Sequence, residues 1–251
     1  MNKLILYIDN MNRGGAQRVM ANLCEHYAAM KIEVILVNDY PPDGKKTTYD
    51  LSSGIRREYL QDKYQRNPII NNIVRINRLR QLIIKEAPDI VLSFLGGPNT
   101  RMLISTMGLP IKKVVSVRND PNKEYGNRTV VKAFTRWLFT NADGCVFQTN
   151  EAAEYFTKET QEKGRVIFNP VDEKFFQIEK SRVSEGVISV GRITFQKNHQ
   201  LLIDAYEKIA LRKKEKLIIY GDGPLKKQLE EYVRIKGMEE FVLFPGNIVN
   251  V

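Results

Sequence analysis

The feature that most constrains the fold is a regular alternation between short apolar runs and longer segments with helical spacing. Six runs in the first 170 residues are rich in Val, Ile, Leu and Phe, which is typical of buried strands. Because strand and helix alternate, the sequence predicts an α/β fold with a doubly wound parallel sheet. The predicted strands are 3–9, 33–38, 88–95, 113–118, 144–149 and 165–168, and the predicted helices are 15–30, 69–86, 98–107, 128–141 and 150–160.

A polar stretch at 173–186 interrupts this alternation, and we interpret it as an interdomain linker. The pattern then resumes with predicted strands at 187–190, 216–220 and 241–244 and predicted helices at 199–211 and 225–235. The sequence thus predicts a Rossmann-like domain at 1–178 and the first half of a second one at 187–251. A half-domain of this kind has an uncovered sheet edge, so we expect further chain or a partner to cover it.

Composition and cysteine usage indicate the compartment. The 251 residues are 43% hydrophobic, enough for a sizeable core, and only five apolar residues follow Lys3. That run is too short for a signal peptide and far below the ~20 residues needed to span a bilayer. Cys24 and Cys145 each lie in an apolar segment, which favours buried, reduced thiols. We therefore expect a cytoplasmic protein.

The net charge of +10 is concentrated in residues 56–136, which hold 16 Lys and Arg against 6 Asp and Glu. This window is either a solvated surface or a contact with an anionic partner, such as a membrane on whose inner face the protein is peripheral. No zinc-ligand spacing or RNA-recognition motif is present, so we expect no nucleic acid. In the predicted helix 69–86 we expect isoleucines on the buried face and Arg75, Arg78 and Arg80 on other faces. Phe134 and Trp137 are interpreted as core rather than as a membrane wedge.

Glycine-rich turns follow several predicted strands. Gly14-Gly15 precede the first helix, but the segment lacks the Gly-x-Gly-x-x-Gly fingerprint of dinucleotide enzymes, so a ribose-binding role for Asp39 is weakly supported. In the second domain Gly191-Arg192 ends a strand and Lys197 follows five positions after Arg192 at a helix start. Two cations and a helix N-terminus can surround one diphosphate. A second turn, Gly221-Asp222-Gly223-Pro224, closes the next strand.

This ordered series resembles the motifs of the retaining GT-B glycosyltransferases of family 4, and the resemblance covers essentially the whole chain. Further parts of it are Asn169-Pro170-Val171 and Phe244-Pro245-Gly246. Such enzymes transfer a sugar from a nucleotide donor, usually a UDP-sugar, to a saccharide or lipid-linked acceptor in surface glycan biosynthesis. The resemblance makes 1–178 the acceptor-binding domain and 187–251 an incomplete donor-binding domain.

The resemblance also assigns residue roles. Arg192 and Lys197 would hold the donor diphosphate and stabilise the leaving group, with no metal or other cofactor, since no Asp-x-Asp triplet is present. Gly14, Gly15, Gly191, Gly221 and Gly223 would line the donor phosphates. The candidates on the acceptor side are Arg18, Arg118, Asn119 and Asp120.

Two departures from the family pattern accompany these roles. The segment 116–121 carries Arg118-Asn119-Asp120 where a catalytic histidine is common, a variant similar to enzymes that act on lipid-linked oligosaccharides. The family's two glutamates eight positions apart would follow residue 251, so the resemblance leaves open whether these 251 residues are active on their own. Two alternatives stay open: a truncated, non-catalytic binding protein that pairs with a partner, and a nicotinamide-dependent oxidoreductase with its cofactor at Gly14 and Asp39. His26 and His199 are expected in helices rather than as catalytic bases.

Overall fold

The computed structural model describes residues 1–12, 14–42, 48–63, 67–171, 176, 186–213 and 215–248. The chain comprises two compact units, Met1–Asp172 and Glu173–Val251. The predicted linker at 173–186 lies outside the described residues except for Phe176 and Gly186. The roles assigned to the two domains therefore stay predictions at this point.

Seven strands of the first unit, within its described part, form one parallel sheet in the order β3-β2-β1-β4-β5-β6-β7. All six predicted strands are present, and β3 is an addition. It was missed because Arg-Arg-Glu-Tyr has no apolar run, as suits an edge strand with one neighbour. The strands are β1 (Lys3–Tyr7), β2 (Glu33–Asn38), β3 (Arg56–Tyr59), β4 (Ile90–Phe94), β5 (Lys112–Ser116), β6 (Gly144–Phe147) and β7 (Gly164–Val166).

Helices connect these strands as parallel pairing requires. Four predicted helices are confirmed within a few residues at each end; the fifth, 150–160, is divided in two. The division occurs at Thr157, whose side chain accepts a hydrogen bond from the Thr160 amide and starts a new helix. The helices are α1 (Gly15–Ala29), α2 (Pro68–Glu86), α3 (Gly96–Ser105), α4 (Pro121–Glu124), α5 (Thr129–Phe139), α6 (Asn150–Glu154) and α7 (Lys158–Glu162).

The core lies on both faces of the sheet, because successive strand residues point to opposite sides. Leu4 and Leu6 of β1 pack in the cluster that includes α1, whereas Ile5 and Tyr7 pack in the cluster that includes α2, α3 and α5. Cys24 and Cys145 are free and buried, one in each cluster, as predicted. The sheet is thus covered on both sides, which confirms the doubly wound fold.

The second unit contains a smaller parallel sheet in the order β10-β9-β8. Its nine-residue buried cluster includes Ile203 and Tyr206 of one helix, Leu229 and Val233 of the other, and Leu217 between them. The described elements are β8 (Gly186–Val190), α8 (His199–Lys213), β9 (Lys216–Tyr220), α9 (Lys226–Ile235) and β10 (Val242–Gly246). These are the elements that the sequence predicts for half of a Rossmann-like domain.

Two expectations about buried faces were wrong in part. On α2, Leu79 and Ile83 are buried as predicted, but Arg75 is buried as well, whereas Ile69, Ile70 and Ile73 are 68%, 46% and 54% exposed. On α5, Phe134 and Trp137 are 48% and 55% exposed, and only Leu138 and Phe139 reach the core. Helical periodicity alone could not identify the buried face of α2, because a buried acid elsewhere in the unit attracts Arg75.

Candidate functional sites at the carboxyl ends of the strands

The glycines that follow β9 allow two loops of the second unit to pack against each other. A Cβ on Gly221, where φ is +138°, would lie 1.9 Å from the Gly191 carbonyl oxygen, and one on Gly223 would lie 2.2 Å from that of Ile193. The Ile193 N–H donates a 2.9 Å hydrogen bond to the Asp222 carbonyl. Only glycine fits at both positions, because backbone atoms cannot move aside as a flexible side chain can. At both glycines, backbone of the neighbouring loop thus occupies the space that a side chain would need.

This packing fixes the loop that carries the two predicted donor cations. Lys197 ends a short 3-10 turn, Phe195–Lys197, and its side chain lies beside Gly191, where an added Cβ would be 3.5 Å from the Lys197 Cε atom. Arg192 and Lys197 are both exposed, and neither forms an ion pair with a described residue. Two exposed cations in the loop that leads into a helix N-terminus give this loop a positive potential that can attract a diphosphate.

His199 is the first residue of α8, as the sequence predicts, and is only 4% exposed. Its Nδ1 atom has no hydrogen-bond partner among the described residues. Burial, and secondarily the charge of Lys197, lower the pKa of the imidazole. The lowered pKa favours the neutral form of the ring, which adds no charge to the cation pair.

In the first unit, the loop after β1 leads into the N-terminus of α1. Gly14 is the N-cap, with an extended φ of −174° that any residue can adopt, and no side chain caps the helix there. A Cβ on Gly15 would meet nothing within 4 Å. Arg18 is exposed one turn later. The structure thus brings Gly14, Gly15 and Arg18 together at an open helix N-terminus, where the fold itself does not require glycine.

The predicted acceptor-side residues follow β5. Arg118 stacks over the Phe94 ring, 4.7 Å from its centroid, and donates to the Asn169 side-chain oxygen. Burial lowers the pKa of its guanidinium, and no described carboxylate forms an ion pair with it. It is thus a partly desolvated cation with neutral partners, an arrangement that favours an anionic ligand.

Asn119 and Asp120 have structural partners of their own. The Asn119 amide donates a 2.9 Å hydrogen bond to Glu124 Oε1, which also accepts from the Gly96 N–H. The Asp120 side chain caps α4 by accepting from the Asn122 N–H at 3.0 Å. Both side chains are exposed. They are adjacent to Arg118 in sequence, but their hydrogen bonds are to residues of α4 and not to Arg118.

A buried polar network that sequence reasoning missed lies below the carboxyl ends of β1 and β2. Asp39 accepts hydrogen bonds from Tyr7 Oη at 2.7 Å and Arg101 Nη2 at 2.8 Å, and its Oδ2 lies 2.9 Å from Arg75 Nη1. All three charged groups are less than a tenth exposed. The ribose-binding interpretation of Asp39 is therefore wrong, since both carboxylate oxygens are occupied. Only the position of Asp39 directly after a strand could have signalled the network.

The described residues contain no group of three or more His, Cys, Asp or Glu that could hold a metal ion. No helix among them combines the length and the hydrophobicity that a membrane crossing requires.

Comparison with models of protein families agrees with a chain of two units, each with its own parallel sheet. The model of Glycosyltransferase Family 4 matches residues 13–175, well over half of the chain, and that of Glycosyl transferases group 1 matches residues 170–250. The chain belongs to glycosyltransferase family 4. Its fold is that of the GT-B class, and the resemblance inferred from the motifs is confirmed. The oxidoreductase alternative is thereby wrong.

Characterised relatives of this family 4 chain include two enzymes of Campylobacter jejuni. One is N-acetylgalactosamine-N,N'-diacetylbacillosaminyl-diphospho-undecaprenol 4-alpha-N-acetylgalactosaminyltransferase, 28% identical over 98% of this chain and 70% of the relative. The other is GalNAc-alpha-(1->4)-GalNAc-alpha-(1->3)-diNAcBac-PP-undecaprenol alpha-1,4-N-acetyl-D-galactosaminyltransferase, 22% identical over 100% of this chain and 69% of the relative. Among solved structures, Anabaena Alr3699/HepE in complex with UDP and glucose superimposes with a TM-score of 0.73 at 13% identity, covering 99% of this chain and 70% of that one.

Proposed function

We propose that this family 4 chain takes part in transferring a sugar from a UDP-sugar to a lipid-linked or saccharide acceptor in surface glycan biosynthesis, with retention of configuration and without a metal. The observation that carries the proposal is a pair of exposed cations, Arg192 and Lys197, which lie in the loop before α8 and form no ion pair with a described residue. The first unit would bind the acceptor and the second the donor.

The donor half of the proposal is electrostatic. When the sugar leaves, negative charge grows on the diphosphate, and fixed cations stabilise that charge without the reorganisation that water would need. Arg192 offers a planar fork of donors and Lys197 a compact charge, so together they can contact both phosphates. The tight packing of Gly221 and Gly223 keeps the Arg192 backbone in place.

The acceptor half rests on Arg118. The two Campylobacter relatives are named for acceptors that carry a diphosphate on undecaprenol. A partly desolvated guanidinium without a carboxylate partner suits such an anion, because binding supplies the countercharge that the fold does not. Arg18 would add a second positive charge to the acceptor side, while Asn119 and Asp120 would shape the neighbouring loop.

A lipid-linked acceptor requires approach to a membrane, and the exposed face of α5 suits that contact. Val130, Val131, Phe134 and Trp137 form one stripe and are 80%, 42%, 48% and 55% exposed. The Phe134 and Trp137 rings are in contact, tilted by 39° with their centroids 5.8 Å apart. Aromatic and aliphatic side chains beside basic ones are typical of helices that lie in the interface of anionic membranes. We propose this stripe, with Arg128 at its start, as the peripheral membrane contact of the inner face.

The decisive experiment is calorimetric titration of the 251-residue chain with UDP. We expect the Arg192→Ala, Lys197→Ala double variant to lose binding because it removes both phosphate contacts. The matched control is Lys227→Ala, Arg234→Ala, which removes the same two charges from α9. Equal binding by all three proteins, or no binding by the folded wild-type chain, would contradict a donor site at this position.

A further inference from the structure

A cavity of about 550 Å³ opens in the first unit at the carboxyl ends of β1, β2 and β3. This volume is within the range of small-molecule sites, about 300–1,000 Å³. It is lined by residues at or just after the carboxyl ends of the three strands, among them Asp9, Asn12, Asn38, Tyr59, Asp62 and Lys63. None of the residues assigned above to the donor or the acceptor is in this lining, so the cavity needs an explanation of its own.

Two polar residues that line the cavity, Asp39 and Asn38, already have partners within the protein. The Asp39 carboxylate is bound by two guanidinium groups and the Tyr7 hydroxyl. The Asn38 amide donates a 2.9 Å hydrogen bond to the Ile8 carbonyl and is thereby fixed in place. A preorganised polar surface of this kind loses little entropy when a ligand binds.

Asp9 is a half-buried carboxylate of this lining. Its Oδ1 accepts the Asn10 N–H at 2.8 Å, and no described cation forms an ion pair with it. Burial is the largest influence on the pKa of Asp9 and raises it, while the hydrogen bonds from Asn10 and the charge of Arg101 act in the opposite direction. Because a carboxylate has about four acceptor positions, Asp9 can still accept hydroxyl protons from a ligand in the cavity.

The remaining lining points to a neutral ligand. Two acids, Asp9 and Asp62, and two cations, Arg57 and Lys63, line the cavity, and the third acid, Asp39, is paired with two arginines, so neither sign of charge dominates. Donors and acceptors alternate with apolar surface from Met11, Pro41 and Pro42. Each sugar hydroxyl is both a donor and an acceptor, and the C–H face of a sugar ring packs on apolar or aromatic side chains.

We propose that this cavity is a subsite for a neutral hexose or N-acetylhexosamine unit of the acceptor saccharide, with Asp9 as its anchoring acceptor. The inference rests on the proposed function, because it assumes that the acceptor carries sugar units. Asp9 accepts hydroxyl protons of the bound unit, and Asn12 and Tyr59 offer further polar contacts around it. The subsite holds the saccharide and takes no part in bond breaking.

The test is saturation-transfer NMR on the 251-residue chain, with the α-1,4-linked disaccharide of N-acetylgalactosamine as the probe. Asp9→Asn removes the charged acceptor and keeps the volume, and Thr48→Trp fills the cavity at another lining residue. We expect Asp9→Asn to weaken disaccharide binding about tenfold or more, the loss typical of one charge-assisted hydrogen bond. Thr48→Trp should weaken binding at least as much, because the indole ring occupies the volume of the ligand. Asp50→Asn, an exposed acid outside the lining, is the matched control and is expected to bind as wild type does.

The same samples separate this inference from the donor proposal. The Arg192→Ala, Lys197→Ala variant should lose UDP binding and keep disaccharide binding. A wild-type chain that binds UDP but no disaccharide at millimolar concentration overturns the subsite alone, as does disaccharide binding that neither Asp9→Asn nor Thr48→Trp weakens. A chain that binds the disaccharide through Asp9 but no UDP supports the subsite and overturns the donor proposal.

Discussion

Asp39→Asn tests whether the buried network of Asp39, Arg75, Arg101 and Tyr7 stabilises the first unit. The substitution keeps the shape of the side chain but leaves two arginines, each less than a tenth exposed, without a countercharge. Breaking a buried ion pair by removing one partner costs about 3–5 kcal/mol. For a domain of this size, about 2–4 °C of melting temperature is lost per kcal/mol, so we expect a decrease of roughly 6–20 °C.

The measurement is thermal unfolding followed by circular dichroism, with Glu159→Gln as the matched control. Glu159 also pairs with a cation, Lys163 at 2.9 Å, but its side chain is 60% exposed. Surface pairs of this kind contribute about 0–1 kcal/mol, so the control should melt within a few degrees of wild type. If Asp39→Asn melts no lower than Glu159→Gln, the arginines are compensated by something other than Asp39, and the reasoning fails.

Two further predictions concern the loops and the membrane contact. Gly221→Ala should lower the free energy of unfolding in urea by more than about 2 kcal/mol, because its Cβ would overlap the Gly191 carbonyl, whereas Gly54→Ala, with open space around it, should change little. The fluorescence emission of Trp137, the one tryptophan in the sequence, should shift to shorter wavelength when anionic vesicles are added. The shift should be smaller in high salt and in the Phe134→Ser variant. An unchanged emission spectrum would contradict the membrane contact.

The sequence predicts the architecture well because apolar runs report burial directly. It misses β3, whose Arg-Arg-Glu-Tyr sequence suits an edge, and it misplaces the buried face of α2. The second error has a clear cause: Arg75 pairs with Asp39, 36 positions earlier in the chain, and no local periodicity can reveal a partner so distant. The same limit conceals the role of Arg101.

Site residues were predictable where a motif records a steric requirement. Gly221 and Gly223 are glycines because carbonyl oxygens occupy the space of a side chain, so the Gly-Asp-Gly-Pro sequence marks a close approach of two loops. Gly15 has no such constraint, because a Cβ there would meet nothing within 4 Å, so the fold does not explain why glycine stands at this position. No sequence motif marks the cavity that Asp9 lines, since it is formed by residues from the ends of three different strands.

The charge of the basic window also acquires a different meaning in the structure. Arg75 and Arg101 neutralise Asp39, Arg56 pairs with Glu86 at 2.7 Å, and Arg80 donates to the Ser105 and Met107 carbonyls. These cations serve the fold and contribute little to attraction at the surface. Others, such as Arg118 and Arg128, have no carboxylate partner among the described residues, and both belong to segments that follow β5. An anionic lipid or a lipid diphosphate would therefore be attracted to the region of α4 and α5, where the exposed apolar stripe also lies, rather than to the whole of residues 56–136.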